Sequence, residues 1–271
     1  MQAEILILGS GTSMGVPTLG CGCAVCTSNN PLNRRLRPSI AIRWPSDHTA
    51  TAEQSNRAHR VVIDTGPDFR AQALRAGIDW LDAVLYTHGH ADHIMGLDDL
   101  RPLSFLHREN RLPLYADEAT ATTLERIYPY TFSSESAYPT RARVTLHRIE
   151  GHETISLSGA RFTRVPLEHG AIESSGYRFG NAAYLTDMKS IPESSLPLLE
   201  NLDVLILDAL RPQPHPSHAT LEESIQWVER IRPRIAYFTH IAHEVEHVAT
   251  EAKLPSNIRL CFDGLRLPIE I

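Results

Sequence analysis

Thr87-His88-Gly89-His90-Ala91-Asp92-His93 places three imidazoles and a carboxylate within six residues. Neutral imidazole and carboxylate are ligand types for zinc, manganese or iron. The spacing lets His88 and His90 chelate one ion while Asp92 and His93 address a second. A lone histidine in a polar turn would read as solvated, but four ligand-type residues this close read as a metal site. A second cluster, Cys21-x-Cys23-x-x-Cys26, packs three thiols into a short stretch, with Cys261 far away. Neighbouring cysteines in a reducing compartment favour metal over disulfides. Zinc takes four ligands, typically thiolates with an imidazole, and His243 is the best candidate to complete the set. Cys261 as fourth ligand, or a redox role for the Cys23-x-x-Cys26 pair, are the alternatives; within Arg259-Leu260-Cys261-Phe262 that cysteine reads as an ordinary buried thiol.

The elements that must position these groups can be read from pattern. Ala83-Val84-Leu85-Tyr86, followed by a Gly-containing polar turn, reads as a buried strand that delivers the histidine motif into a loop. Ile5 to Leu8, Ile40 to Trp44, Arg60 to Ile63 and Val204 to Asp208 read as further strands. Asp68 to Ala76 reads as a short helix closed by Gly77. Ile94 to His107 is expected to continue helically from the motif, interrupted at Pro102. Thr220 and Glu223 form a capping box ahead of the stripe Leu221, Ile225, Val228 and Ile231, and Pro233 stops that helix. The stretch from Pro45 to His59 is polar and aperiodic and is expected to be disordered or mobile. Residues 110–160 are the least readable.

Bulk properties narrow the class. The chain has 271 residues, 42% hydrophobic and 21% charged, with a net charge of −6. It is long enough to bury a large core without staples. Apart from Arg34-Arg35 and Arg37 there is no basic cluster, which argues against nucleic acid as partner. No signal peptide is legible, and no apolar run approaches membrane length. The expectation is a cytoplasmic protein of one domain, residues 1–271, that engages no membrane; a homodimer is left open.

His88-x-His90-x-Asp92-His93 resembles the signature of the metallo-β-lactamase superfamily. The resemblance implies a four-layer αβ/βα sandwich with a one- or two-metal site along one edge. It also implies a downstream His, a bridging Asp and a last His at strand ends. His169 after Phe162 to Leu167, Asp187 after Ala182 to Thr186, and His240 after Ile235 to Thr239 stand in that order. Together with Gly9-Ser10-Gly11-Thr12, the cysteine cluster, Ile63-Asp64-Thr65-Gly66-Pro67-Asp68 and Thr239-His240-Ile241-x-His243, the pattern is similar to the PhnP-like phosphodiesterases. By that resemblance Cys21, Cys23, Cys26 and His243 hold a structural zinc, so that 21–26 packs on 240–243. His88, His90, His169 and Asp187 would hold one divalent catalytic metal, Mn2+ or Zn2+. Asp92, His93, Asp187 and His240 would hold the other.

Asp64 is a candidate to fix the tautomer of a ligating imidazole, or else serves its own turn. His218 and Asp92 are the candidate catalytic residues, with His218 as general acid by resemblance and His215 the weaker alternative. Glu168, beside a ligand, is expected to be solvated or to support it. His48, His59, His107, His147, His152 and His247 have no context, and most are expected at the surface. The function expected is hydrolysis of a phosphodiester in a small or cyclic, ribose-type substrate by a metal-bridging hydroxide. The competing readings are a tRNA 3′-end endonuclease, a thioester or lactone hydrolase, a PqqB-like cofactor-synthesis protein and a non-catalytic metal-binding protein. The resemblance says that lactamases often lack the bridging Asp, which disfavours them.

Overall fold

The computed structural model describes residues 1–46, 57–107, 111–133 and 138–271. Most of the Pro45–His59 stretch expected to be mobile lies outside the described residues, although His59 itself opens a strand. The first sheet takes β1 (Gln2–Gly9), β2 (Ser39–Trp44), β3 (His59–Ile63), β4 (Ala83–Leu85), β5 (Leu112–Ala116) and β6 (Val144–Arg148). The second takes β7 (Thr154–Leu157), β8 (Ala160–His169), β9 (Ile172–Phe179), β10 (Ala182–Leu185), β11 (Val204–Asp208), β12 (Ile235–Thr239) and β13 (Ile258–Leu260). The last strand, β14 (Arg266–Glu270), returns to pair antiparallel with β1 and completes the first sheet.

Both sheets are mixed, with parallel pairing from β3 to β6 and from β10 to β13. Strands covered on both faces read as continuous apolar runs, and β4, β10 and β11 are buried along their whole length. Alternation then sorts their side chains. Val61, Ile63, Tyr184 and Ile206 face the space between the sheets, where they pack with Trp44, Phe162 and Phe179. Val62, Val84 and Leu114 face outward onto the helical layer with Phe69 and Leu124. Leu205, Leu207 and Phe238 do the same on the opposite side, against Val228. The result is the four-layer αβ/βα sandwich.

The helices are α1 (Phe69–Ala76), α2 (Ala91–Ile94), α3 (Arg101–Ser104), α4 (Glu118–Ile127), α5 (Pro129–Phe132), α6 (Leu221–Ile231) and α7 (His247–Glu251). Gly77 closes α1 in the left-handed region, at φ 61°, as its position after the apolar stripe requires. The capping box of α6 is formed by Thr220 and Glu223 as expected. The helical run expected over Ile94 to His107 is corrected. It breaks into α2, a 3-10 turn at Leu97–Leu100 and α3, and Pro102 sits in the first turn of α3 rather than interrupting a longer helix. Among the described residues no helix is long and apolar enough to cross a membrane.

Candidate metal centre

The site is assembled where strands end. His88 is the third residue after β4, His169 closes β8, Asp187 follows β10 and His240 follows β12. β4, β10 and β12 have parallel neighbours, and loops at the carboxyl ends of such strands are free to vary over a fixed sheet; β8 is antiparallel to both of its neighbours. Asp64, Asp187 and His240 all have positive φ, at 67°, 53° and 58°. For residues with a Cβ this region is disfavoured, and strain of this kind collects at functional sites.

The turn after β3 is fitted tightly to α2. A Cβ on Gly66 would stand 1.9 Å from the Asp92 carbonyl oxygen. The Thr65 N–H donates to His93 O at 2.8 Å, and the Gly96 N–H donates to Thr65 O at 2.8 Å. These contacts place Asp64 under His93. The Asp64 carboxylate accepts from the Thr87 amide (2.9 Å) and hydroxyl (2.8 Å) and lies 2.7 Å from His93 Nδ1. Of the two roles open to Asp64, the imidazole-orienting one is present: His93 Nδ1–H faces the carboxylate, and Nε2 is turned into the site.

All seven residues named from the sequence meet there. His88 Nε2 lies 2.8 Å from His90 Nδ1, which lies 3.3 Å from His169 Nε2. Asp187 Oδ1 stands 3.8 Å from His88 Nε2, 4.0 Å from His169 Nε2 and 3.3 Å from His240 Nε2. Asp187 Oδ2 is 3.2 Å from His93 Nε2, and Asp92 Oδ2 is 3.2 Å from His93 Nε2 and 3.5 Å from His240 Nε2. Asp187 thus joins the group His88, His90, His169 to the group Asp92, His93, His240. All but His90, at the mouth, are buried.

The donor set fits divalent cations. Asp92 Oδ2, His93 Nε2 and His240 Nε2 are buried without a hydrogen-bond partner among the described residues, and buried polar atoms are rarely left so. Ligands about 2.0–2.2 Å from one tetrahedral ion stand roughly 3.3–3.6 Å apart, close to the separations around His240. The carboxylates and imidazoles act on one another's ionisation. Burial pushes the Asp187 and Asp92 carboxyls up, but the neighbouring imidazoles outweigh it and hold both below the usual range. Burial likewise pushes His240 down, yet Asp187 and Asp92 raise it to about 9. At His88 burial prevails and holds the ring well below its ordinary value, as neutral ligation requires.

His218 is brought to the rim of the cluster by the loop before α6. Its Nε2 is 3.9 Å from Asp187 Oδ1, its ring stacks on His240 at 4.6 Å, and Nδ1 lies 2.7 Å from Asp208 Oδ2. Asp208, at the end of β11, is the site residue that sequence reading missed, although it stands at a strand end as Asp187 does. His215 stays half-buried beside His218 and contacts the Ser217 amide at 3.3 Å. Glu168 is exposed and bonds Ser190. Ser217 also matters: its carbonyl lies 2.7 Å from His169 Nδ1, which turns Nε2 inward.

The second cluster also closes. His243 Nδ1 stands 3.2, 3.6 and 3.4 Å from the sulfurs of Cys21, Cys23 and Cys26. Cys261 is not part of it, being buried between the sheets. The Thr18 amide donates to Cys26 Sγ and the Cys26 amide to Cys23 Sγ. The Cys26 amide is the main cause that lowers Cys23 to about 6. Arg35, itself buried, donates to the carbonyls of Ala242 and Val245, so the segment bearing His240 and His243 is held from two sides. The expectation that most of the contextless histidines lie at the surface is corrected: among the described residues His147 and His152 are exposed, but His59 and His107 are half-buried, the latter with Nε2 2.9 Å from Leu81 O, and His247 is buried beside Phe262. His48 lies outside the described residues.

Fold and ligand geometry define a protein of the metallo-β-lactamase type. The β-lactamase superfamily domain model matches residues 59–241, and the chain belongs to that superfamily, which implies divalent-metal binding. A solved structure described as a new diphosphatase from the PhnP family is 49% identical, with a TM-score of 0.89, over 99% of this chain and 98% of that one. Zn(2+)-bound PqqB from Methylobacterium extorquens is 19% identical with a TM-score of 0.73, over 97% and 99% of the two chains, a likeness of fold alone. Among curated proteins, an octanoyltransferase of Porphyromonas gingivalis is 35% identical over 98% of this chain and 51% of its own length. The chain therefore spans about half, or less, of the curated relatives it matches.

Proposed function

We propose that this protein is a metal-dependent phosphodiesterase acting on a small or cyclic, ribose-type phosphate ester. The observation that carries the reading is the joined pair of ligand groups, three and three, with Asp187 between them. His88, His90, His169 and Asp187 would hold one divalent ion, Mn2+ or Zn2+, and Asp92, His93, Asp187 and His240 the other. Bound there, such ions acidify water and offset charge on phosphoryl oxygens. The remaining work falls to the chain itself. Asp64 and Ser217 O orient two imidazoles, Asp208 orients His218, and His218 Nε2 is placed to give a proton to a departing oxygen. Cys21, Cys23, Cys26 and His243 would hold a structural zinc that braces the His240 segment.

Residues 1–271 are read as one cytoplasmic domain acting on a small molecule, without nucleic acid or membrane; the three clustered thiols suit a reducing compartment. A second reading, hydrolysis of a diphosphate, is favoured by the description of the 49% identical relative. Turnover of bis(p-nitrophenyl) phosphate with added manganese, set against Asp187→Ala, tests the shared chemistry. Activity lost in the variant supports it, and absence of turnover in the parent protein overturns it.

A further inference from the structure

We propose that the cleft beyond His218 is a leaving-group subsite for an uncharged, hydroxyl-bearing alcohol such as a sugar, with Glu244 and Arg211 as its specificity-determining pair. The inference rests on the phosphoester reading above and specifies one side of that site. The cleft, of about 140 Å³, is lined by Thr12, Ser13, Arg211, His215, His218 and Glu244, among others. His218 is the shared wall: it faces Asp187 on one side and lines the cleft as well. A group that protonates a departing oxygen must stand beside it, so the departing moiety lies in the cleft.

Size and charge then limit that moiety. Drug-sized ligands occupy roughly 300–1,000 Å³, so this cleft suits about one ring rather than a whole nucleotide. Arg211 and Glu244 are the fixed charges of the lining, and they pair at 3.3 Å. Their charges cancel, so the cleft offers a second phosphate no net attraction, and Glu244 would repel it. A hydroxyl meets the opposite situation. Glu244 Oε1 is engaged by Arg211, while Oε2 stands 3.8 Å from His243 Nε2, beyond hydrogen-bond range, and keeps acceptor capacity. Arg211 Nη1 and Nη2 each spend one N–H, on Glu244 and on Pro214 O, and each keeps a second N–H to donate. A hydroxyl donates and accepts at once, which a carboxylate–guanidinium pair can satisfy, whereas phosphate oxygens only accept.

The test compares three substrates, a ribose cyclic phosphate, ADP and bis(p-nitrophenyl) phosphate, in the parent protein, Glu244→Gln and Arg211→Leu. Zinc content is measured on each preparation. The parent should prefer the ribose ester to ADP in kcat/KM. Glu244→Gln should raise KM for the ribose ester about tenfold, as loss of charged hydrogen bonds does, with kcat little changed. The nitrophenyl ester, which has no hydroxyls, should be unaffected. If Glu244→Gln sheds zinc, Arg211→Leu decides: the same selective rise in KM supports the subsite, and its absence overturns it. A parent that prefers ADP and loses that preference in Arg211→Leu would make the cleft a phosphate reader and overturn the proposal. Equal losses on every substrate with zinc retained would also overturn it. No turnover of any of the three would instead sink the phosphoester reading, and the subsite with it.

Discussion

Asp208 Oδ2 lies 2.7 Å from His218 Nδ1, although the two residues approach from different elements, the end of β11 and the loop before α6. A carboxylate only accepts, so Nδ1 carries the proton toward Asp208 and Nε2 is left facing Asp187. The loop is fixed around this pair. The Met188 amide donates to the same Asp208 oxygen at 3.0 Å, the Ala219 amide donates to Met188 O at 2.8 Å, and Ser224 of α6 donates to Asp208 O at 2.6 Å.

Asp208→Asn keeps the size and, with its amide oxygen held by the Met188 N–H, still accepts from Nδ1, but it withdraws the negative charge beside a ring that must give up a proton at Nε2. Turnover of an alkyl phosphodiester is expected to fall about 10- to 100-fold, less than the 10²–10⁴ available to a full general acid. Metal content measured by atomic absorption should stay as in the parent. A variant with parental rates would leave Asp208 a purely structural residue.

Asp64 makes a prediction of a different kind, because it holds a ligand rather than an acid. Asp64→Asn replaces an acceptor that serves His93 Nδ1 and both donors of Thr87. Loss of such a partner typically costs about 10- to 100-fold in metal affinity or activity. Titration of metal-stripped protein with manganese should show the weaker binding directly, and an unchanged affinity would rule out the orienting role.

The zinc cluster should act on stability. Cys23→Ser removes one of three sulfurs around His243, and structural zinc contributes folding free energy directly. The expected result is loss of that metal and a lower Tm, with activity falling as the His240 segment loosens. Retention of both the metal and the Tm would mean that the cluster is not a structural zinc site.

The legible parts of this chain are those set by short-range chemistry. The His88-to-His93 motif, the cysteine cluster, the Gly77 cap and the Thr220–Glu223 box all depend on neighbours within a few residues. Strand-end placement of His169, Asp187 and His240 was legible as well, but their meeting depends on strand order, which pattern alone does not give. The same gap hid Asp208, whose partner is set by the register of β11 against the loop before α6. Helix α4 went unread because Thr120, Thr122 and Thr123 have weak helix propensity. It forms because Asp117 caps it and Thr120, Ala121 and Leu124 are buried against the first sheet. His247 misled for a similar reason, since burial beside Phe262 is a tertiary fact.

His218 carries the sharpest prediction, because two roles for it separate by leaving group. p-Nitrophenolate departs readily without a proton, whereas a sugar alkoxide does not. His218→Ala is therefore expected to lower hydrolysis of a ribose cyclic phosphate by about 10²–10⁴-fold, and that of bis(p-nitrophenyl) phosphate far less. His218 stands 3.9 Å from Asp187 and stacks on His240, so it is also near enough to act as a ligand. Metal content distinguishes the two: an acid can be removed without loss of metal, and a ligand cannot. Equal losses on both esters with metal retained would make His218 a phosphate-binding group. Parental rates on both would leave the ring with no part in the chemistry, and its bond to Asp208 would then serve only to fasten the loop.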